Sequence, residues 1–453
     1  VRRNRIVVVG GLAAGPSAAA KAARTDPAAE IILFEQTETV SYGLCEAPYT
    51  IGGEIPDEST LVSYTPDRLA AEKGIAVKTQ HRVEKILPTK HAVAVRDLRT
   101  GEVAEYSYTA LVVATGSSPR KLNVDGEEGR NVFHVNSRDD TLGILRYLET
   151  ERAGTAVVIG GGYIGMEMCE ALKRRGLEVT LVHRYRLPMA GLEEETRTRI
   201  VEELANNGVR FVTNARVESL LQDDSQRVVQ VLSTKGSFPA DLVILSLGVT
   251  PNAKLATDAR VRTGPTGGIV VDQRQQTNID GVYAAGDCCE VRNVVNGKPM
   301  YIPLATIASR QGWVAGENAA GGRATFRGVI RAVAVKVFGL EVAQVGISSD
   351  EARASGFDVA TQSVSTWSRV AIMPGSSRIS VRLILDKRSQ RILGANVFGS
   401  DGVVQRANIL GVAIQHKMTV DDVFRFDMIY SPPFAPLWDP ILIAVNEARK
   451  KMK

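Results

Sequence analysis

At 453 residues the chain exceeds one ordinary hydrophobic core, so two or three domains are expected. Hydrophobic residues at 44% and charged residues at 23% describe a soluble globular protein. A formal net charge of +5 without a dense basic tract argues against a nucleic-acid partner, no apolar run is long enough to cross a bilayer, and four cysteines without a CxxC pair exclude a disulfide scaffold.

The N-terminus, Val1-Arg2-Arg3-Asn4-Arg5, lacks the apolar stretch and cleavage site of a signal peptide, so the expected compartment is a reducing cytoplasm. The first strand, Ile6 to Val9, runs into Gly10-Gly11-Leu12-Ala13-Ala14-Gly15 and an Ala-rich helix from about Gly15 to Arg24. Such a turn lets the backbone approach a dinucleotide's pyrophosphate, and the helix N-terminus offers it free N–H groups. Leu12 stands where the middle glycine is usual, so the approach there is looser. A second apolar run, Ile31 to Phe34, ends at Glu35, an acid placed to accept from ribose hydroxyls. Leu111 to Gly116 is a further buried-strand pattern with a glycine turn.

The whole arrangement then repeats. Thr155 to Ile159 runs into Gly160-Gly161-Gly162-Tyr163-Ile164-Gly165, and a second strand, Val179 to Val182, follows. Two such units point to two dinucleotides and to electrons moving between them. The second unit's strand ends in His183-Arg184-Tyr185-Arg186, not in an acid. A carboxylate there repels a 2′-phosphate and arginine pairs with it, so NADPH preference or dual use is expected; an exposed basic loop is the alternative. Leu242 to Gly248 mirrors the earlier strand-to-glycine segment, and Thr277 to Asp287 reads as a turn, a short strand and a Gly286-Asp287 ending. After Gly321-Gly322 the pattern changes. Strand-like runs (Val333 to Phe338, Ile379 to Leu385, Ile392 to Phe398) alternate with helical ones (Val403 to Gln415, Pro440 to Lys450), which suggests a separate α+β domain.

Cys45 is the candidate redox sulfur. A thiolate is the reactive form, so a nearby cation or helix N-terminus is expected to favour it, and inward-facing Glu46 would oppose it. Cys169, Cys288 and Cys289 read as packing or structural residues. No metal site is expected.

The ordered set of motifs (first fingerprint, Ala114-Thr115-Gly116, second fingerprint, Ala285-Gly286-Asp287) resembles the two-dinucleotide-binding flavoprotein disulfide reductases. Ser41-Tyr42-Gly43-Leu44-Cys45 and Tyr430-Ser431-Pro432-Pro433-Phe434 are similar to the single-cysteine branch, which includes coenzyme A disulfide reductases, NAD(P)H oxidases and persulfide reductases. The resemblance implies an α/β fold with two Rossmann-like domains and a C-terminal α+β dimerisation domain. FAD binding would occupy residues 1–118 and 248–322, NAD(P)H binding 119–247, and dimerisation 323–453.

It also implies site roles. Gly10, Gly15, Glu35, Ala114, Thr115, Gly116, Gly286 and Asp287 would hold FAD, with Asp287 accepting from the ribityl chain. Gly160, Gly162, Ile164, Gly165, His183, Arg184, Arg186 and Gly248 would receive NADPH or NADH, with Tyr163 gating the nicotinamide pocket and Glu167 beside it. Lys21, Arg24, Ser41 and Lys73 fall where coenzyme A reductases touch coenzyme A, which Cys45 itself would carry at rest. Tyr430 would reach Cys45 from the partner subunit of a homodimer. Three positions depart from the pattern: Leu44 replaces an asparagine, Glu46 a small residue, and Ile372-Met373 a second tyrosine before Pro374-Gly375. The implied activity is NAD(P)H-dependent reduction of a small disulfide or persulfide, first coenzyme A disulfide. Reduction of oxygen or peroxide is the first rival, and a slow redox-sensing flavoprotein the second.

Overall fold

Strand Arg5–Val9 is buried on both faces after its first residue, which places it inside a parallel sheet covered on both sides. The structure, a computed structural model, describes residues 4–452; the expectation for the extreme N-terminus therefore lies, at Val1, Arg2 and Arg3, outside the described residues. The first sheet is all parallel in the order Val282–Ala284, Ala110–Val113, Arg5–Val9, Glu30–Phe34, Ile75–Lys78. Its outermost strand thus comes from a segment more than 160 residues beyond its neighbour. The second sheet is also parallel, in the order Arg210–Val212, Glu178–Val182, Thr155–Ile159, Leu242–Leu245, Val132–Phe133. Where the chain passes between the two, Ser117–Pro119 and Val249–Pro251 pair as a short antiparallel ribbon.

The duplication runs deeper than the glycine turns. Each unit carries a three-stranded antiparallel meander: His81–Leu87, Ala92–Asp97 and Val103–Ser107 in the first, Val217–Gln222, Val228–Ser233 and Gly236–Pro239 in the second. The tail is a five-stranded antiparallel sheet in the order Ala332–Val337, Leu340–Gly346, Ile392–Gly399, Arg378–Asp386, Val359–Trp367. Helices Val403–Gln415 and Pro440–Met452 pack on it, as the apolar periodicity predicted. Strands Leu340–Gly346 and Val359–Trp367 are additional to the predicted set.

The helix of the first turn, Ala14–Thr25, lies against helix Ala305–Ala319. Contact is through small residues. A Cβ at Gly312 would fall 2.2 Å from the Ala14 carbonyl oxygen, and one at Gly316 2.0 Å from that of Ala18. Backbone cannot yield as a flexible side chain does, so Gly316→Val is expected to cost about 3 kcal/mol or more, read as a lowered thermal midpoint by circular dichroism. Among the described residues no helix is long and apolar enough to cross a membrane.

Candidate active site

The first glycine turn is closed by its own backbone. Gly10 has φ +107°, and a Cβ there would stand 2.1 Å from the Ala114 carbonyl oxygen. At Gly15 a Cβ would stand 1.8 Å from the Gly10 carbonyl oxygen. Only glycine permits strand, turn and helix to meet this closely. The Gly11 N–H donates to Glu35 Oε2 at 2.7 Å and the Thr37 N–H to Oε1 at 2.8 Å. Each carboxylate oxygen keeps acceptor capacity for a sugar hydroxyl. Leu12 projects from the turn, 42% exposed. Thr115 Oγ1 donates to the Asn252 carbonyl at 2.6 Å, which ties the Ala114-Thr115-Gly116 turn to the ribbon's returning strand.

Gly286 abuts Ala14 at the start of the same helix, its would-be Cβ 2.8 Å from the Ala14 Cβ. Asp287 follows it. Among the described residues its carboxylate receives one side-chain hydrogen bond, a 3.4 Å contact from Ser117 Oγ, and burial pushes its pKa up to about 6. A part-buried carboxylate with so little satisfaction is suited to accept from a ligand hydroxyl. The close-packed turn, the Glu35 carboxylate and the Asp287 carboxylate form a donor and acceptor set that fits FAD.

The second turn repeats the first with one change. A Cβ at Gly160 would lie 2.1 Å from the Ser246 carbonyl oxygen, and one at Gly165 2.1 Å from that of Gly160. A Cβ at Gly162 would meet open space, on the side where Leu12 projects in the first unit. Where the first unit uses Glu35, the Gly161 N–H donates to His183 Nδ1 at 3.1 Å. The imidazole is therefore neutral, with its proton on Nε2, and burial holds its pKa below the usual histidine value. Its ring stacks on Phe211 and meets Tyr185 edge-on. The strand end thus holds the turn without a negative charge.

The two arginines beside it differ. Arg184 is exposed, lies 4.7 Å over the Tyr185 ring and has no carboxylate partner among the described residues. Arg186, also exposed, pairs with the exposed Glu194. Tyr163, Ile164 and Glu167 lie on helix Tyr163–Arg174, and burial pushes the Tyr163 phenol up to about 12. Gly248 takes φ +83° after strand Leu242–Leu245, matching Gly116.

Cys45 sits in a 3₁₀ turn, Leu44–Glu46, that feeds a short helix, Ala47–Ile51. That helix packs on helix Tyr163–Arg174 of the second unit: the Arg175 Nε–H donates to the Ile51 carbonyl at 2.5 Å, and a Cβ at Gly52 would lie 3.1 Å from Ala171 Cα. The thiol reaches solvent in the single chain. Its charged neighbours are Glu46, Glu167 and Asp287, contributed by three separate segments. Burial, then these carboxylates, push the Cys45 thiol up. The expected cation or helix N-terminus is thus corrected: the neighbours are acidic, and a five-residue helix supplies little dipole. Cys169, Cys288 and Cys289 are buried free thiols, the last two with Sγ atoms 3.8 Å apart.

The coenzyme A candidates are dispersed in their local roles. Lys21 Nζ lies 2.9 Å from Glu317 and 4.2 Å over the Trp313 ring. Arg24 is exposed, Ser41 is half-buried with φ +53°, and Lys73 stands 5.7 Å over the Tyr64 ring. Tyr430 is half-exposed on a segment whose Ile429, Phe434, Leu437 and Trp438 are also exposed, an apolar surface of the kind a partner covers.

The profile of pyridine nucleotide-disulphide oxidoreductases matches residues 4–312, and that of their dimerisation domain residues 332–440. The chain belongs to this family. Among curated relatives, it is 34% identical over 444 residues to the NAD(P)H coenzyme A polysulfide/persulfide reductase of Pyrococcus horikoshii, covering 97% of each chain. It is 31% identical over 449 residues to the NADH oxidase of Enterococcus faecalis, covering 99% of this chain and all of the other. The solved NAD-dependent persulfide reductase of A. fulgidus superposes with a TM-score of 0.95 at 35% identity, covering 99% of this chain and 83% of that one.

The enzyme is accordingly an FAD-dependent NAD(P)H disulfide oxidoreductase with a dimerisation domain, of a family acting on small molecules. Sequence reasoning missed several groups that shape its site. Arg197 donates to the Pro188 carbonyl at 2.7 Å and the Leu187 carbonyl at 2.6 Å, and so braces the loop after His183. Tyr49 and Glu170 line a small cavity together with Glu167. Tyr49 lies four residues after Cys45 on the adjoining helix, a spacing that would have pointed to it.

Proposed function

We propose that the enzyme reduces a small disulfide or persulfide, coenzyme A disulfide first, with Cys45 as its single redox cysteine. The observation that carries this reading is placement. Cys45 leads into a helix packed on the glycine-turn helix of the second unit, and the carboxylates that raise its thiol come from both units, Asp287 from the first and Glu167 from the second. Of four cysteines it alone is exposed.

In this reading the domains divide at 118/119, 247/248 and 322/323. Gly10, Gly15, Ala114, Thr115, Gly116 and Gly286 shape the FAD cradle; Glu35 accepts from ribose and Asp287 from the ribityl chain. FAD, when bound, supplies a two-electron relay between nicotinamide and sulfur. Gly160, Gly162, Ile164, Gly165 and Gly248 receive the nicotinamide dinucleotide, and Tyr163 covers the nicotinamide pocket. Cys45 forms a mixed disulfide with the substrate and attacks the next sulfur as a thiolate. The partner subunit's Tyr430 approaches Cys45 and stabilises a departing thiolate. Arg24, Ser41 and Lys73 meet the coenzyme A phosphates, joined by Lys21 when it leaves Glu317. Intact mass before and after reductant tests the substrate class: a coenzyme A-sized adduct on Cys45, released by reductant, is expected. Its absence, with no turnover of coenzyme A disulfide, rejects that substrate.

Cofactor choice follows from His183 and Arg184. A neutral ring at the strand end removes the repulsion a carboxylate would exert on a 2′-phosphate, and Arg184 offers it a charge-assisted pair. Arg184→Glu is expected to lower the NADPH-to-NADH ratio of kcat/KM by roughly tenfold or more, about 1.4 kcal/mol. An unchanged ratio removes the claim.

The NADH oxidase relative favours a second reading, in which oxygen or peroxide is the acceptor and Cys45 cycles through sulfenic acid. Loss of peroxide reduction in Cys45→Ser is the outcome that supports it.

A further inference from the structure

We propose that Glu193 is a positioning residue for the nicotinamide dinucleotide. Through residues 187–193 it straps the second glycine turn to the sheet of the dimerisation domain, so that this domain sets how tightly NADPH and NADH are held. The proposal rests on the reading of the second turn as the NAD(P)H cradle.

One device holds both glycine turns. In the first, the Gly11 N–H donates to Glu35 and the Gly11 carbonyl accepts from the Ser41 N–H at 2.8 Å. In the second, the Gly161 N–H donates to His183 and the Gly161 carbonyl accepts from the Met189 N–H at 2.7 Å. Ser41 and Met189 both take left-handed backbone, with φ +53° and +55°. That conformation is costly for a residue with a side chain and persists only where its surroundings fix it. Holding the carbonyl has a consequence for a ligand. C=O and N–H point opposite ways across a planar trans peptide, so a Gly161 carbonyl held toward Met189 turns the Gly162 N–H away from the loop. Gly162 is the N-cap of helix Tyr163–Arg174, and the first N–H groups of a helix are the ones free for a pyrophosphate. A Cβ at Gly161 would stand 2.9 Å from the Pro188 Cβ, so the loop also limits movement of the turn on that side.

What fixes Met189 lies largely in the other domain. Gln344 Nε2 donates to the Gly191 carbonyl at 2.7 Å, and Asn396 Oδ1 accepts from the Glu193 N–H at 2.7 Å. Glu193 is the N-cap of helix Glu194–Asn206, yet its carboxylate does not cap that helix. It turns instead to the dimerisation domain. There it accepts from the Ser349 N–H at 2.8 Å and Ser349 Oγ at 2.9 Å, and pairs with Arg382 Nε at 3.1 Å. Glu193, Gln344, Ser349 and Asn396 are all buried. Charge-assisted bonds shielded from water are the strong ones, so this clasp resists opening. Arg382 also lies 3.5 Å from Glu195, and so keeps a partner if Glu193 loses its charge.

The same helix makes a second tie to the dimerisation domain near its other end, where Glu203 Oε1 accepts from the Gly339 N–H at 3.2 Å. That tie does not pass through residues 187–193, and it serves as the control.

The test uses the FAD-loaded holoenzyme with ferricyanide as acceptor, which needs no sulfur. Glu193→Gln and the milder Ser349→Ala are compared with Glu203→Gln, and the ratio of flavin to protein absorbance reports the fold. KM for NADPH is expected to rise about tenfold in Glu193→Gln and about threefold in Ser349→Ala, with kcat unchanged. KM for NADH should rise by the same factor, because the turn holds the pyrophosphate that both share. Glu203→Gln should keep the wild-type KM. Should Glu193→Gln fail to fold, Ser349→Ala decides alone. An unchanged KM, or a fall in kcat at unchanged KM, overturns the strap while Gly165→Val still weakens NADPH binding. An equal rise of KM in Glu203→Gln also overturns it, since the effect would then belong to domain docking at large. Normal NADPH binding in Gly165→Val overturns the reading beneath it.

Discussion

Cys45→Ser is expected to lower kcat/KM for disulfide reduction on the order of 10³-fold or more, while NAD(P)H-dependent reduction of ferricyanide persists. A serine hydroxyl is a far weaker nucleophile than a thiol and cannot form the mixed disulfide. No other sulfur can replace it, because Cys169, Cys288 and Cys289 are buried and burial pushes the Cys169 thiol well above its usual range. The dye accepts electrons without sulfur, so its reduction should continue if both dinucleotide sites are intact. Stopped-flow measurement of both activities in one preparation separates the halves. Disulfide reduction at wild-type rate in Cys45→Ser would remove Cys45 from the reaction, and joint loss of both activities would place its role in assembly of the site.

Gly15→Val is expected to yield protein without flavin. The first atom of any side chain there meets the Gly10 carbonyl oxygen at 1.8 Å, and that carbonyl belongs to the turn itself. Relief requires the helix Ala14–Thr25 to withdraw from strand Arg5–Val9, yet the same helix is held on its other side by Gly312 and Gly316. The clash costs about 3 kcal/mol or more, which weakens flavin binding by roughly a hundredfold or more. The ratio of flavin to protein absorbance after desalting measures it. Gly165→Val repeats the experiment in the second unit, with a 2.1 Å clash, and should spare flavin while weakening NADPH binding measured by fluorescence quenching. Flavin retained at wild-type occupancy in Gly15→Val would show that this turn is not the cradle.

Much of the fold was legible because its central features are local. A run such as Val157-Val158-Ile159 followed by glycine carries its own instruction: apolar on both faces, then a turn only glycine permits. The tail helices were equally plain from their apolar periodicity. The two meanders were less visible, since their strands are short and partly exposed, as in Val103–Ser107, and gain definition only from their partners. Strand Val359–Trp367 was obscured in the same way by its polar residues.

Residue types at the candidate site were legible in the chain, but their partners were not. Sequence alone determined that two glycine turns follow buried strands, that Glu35 ends one such unit and His183 the other, and that a cysteine stands between them. Only the tertiary structure decided that Arg186 pairs with Glu194, that Lys21 pairs with Glu317, and that the charges of Glu46, Glu167 and Asp287 all act on one thiol. The physical reason is range. Backbone conformation and apolar periodicity are set within a few residues, whereas the charge a side chain feels is summed over whatever the fold brings within several ångströms, from segments here more than 100 residues apart in the chain.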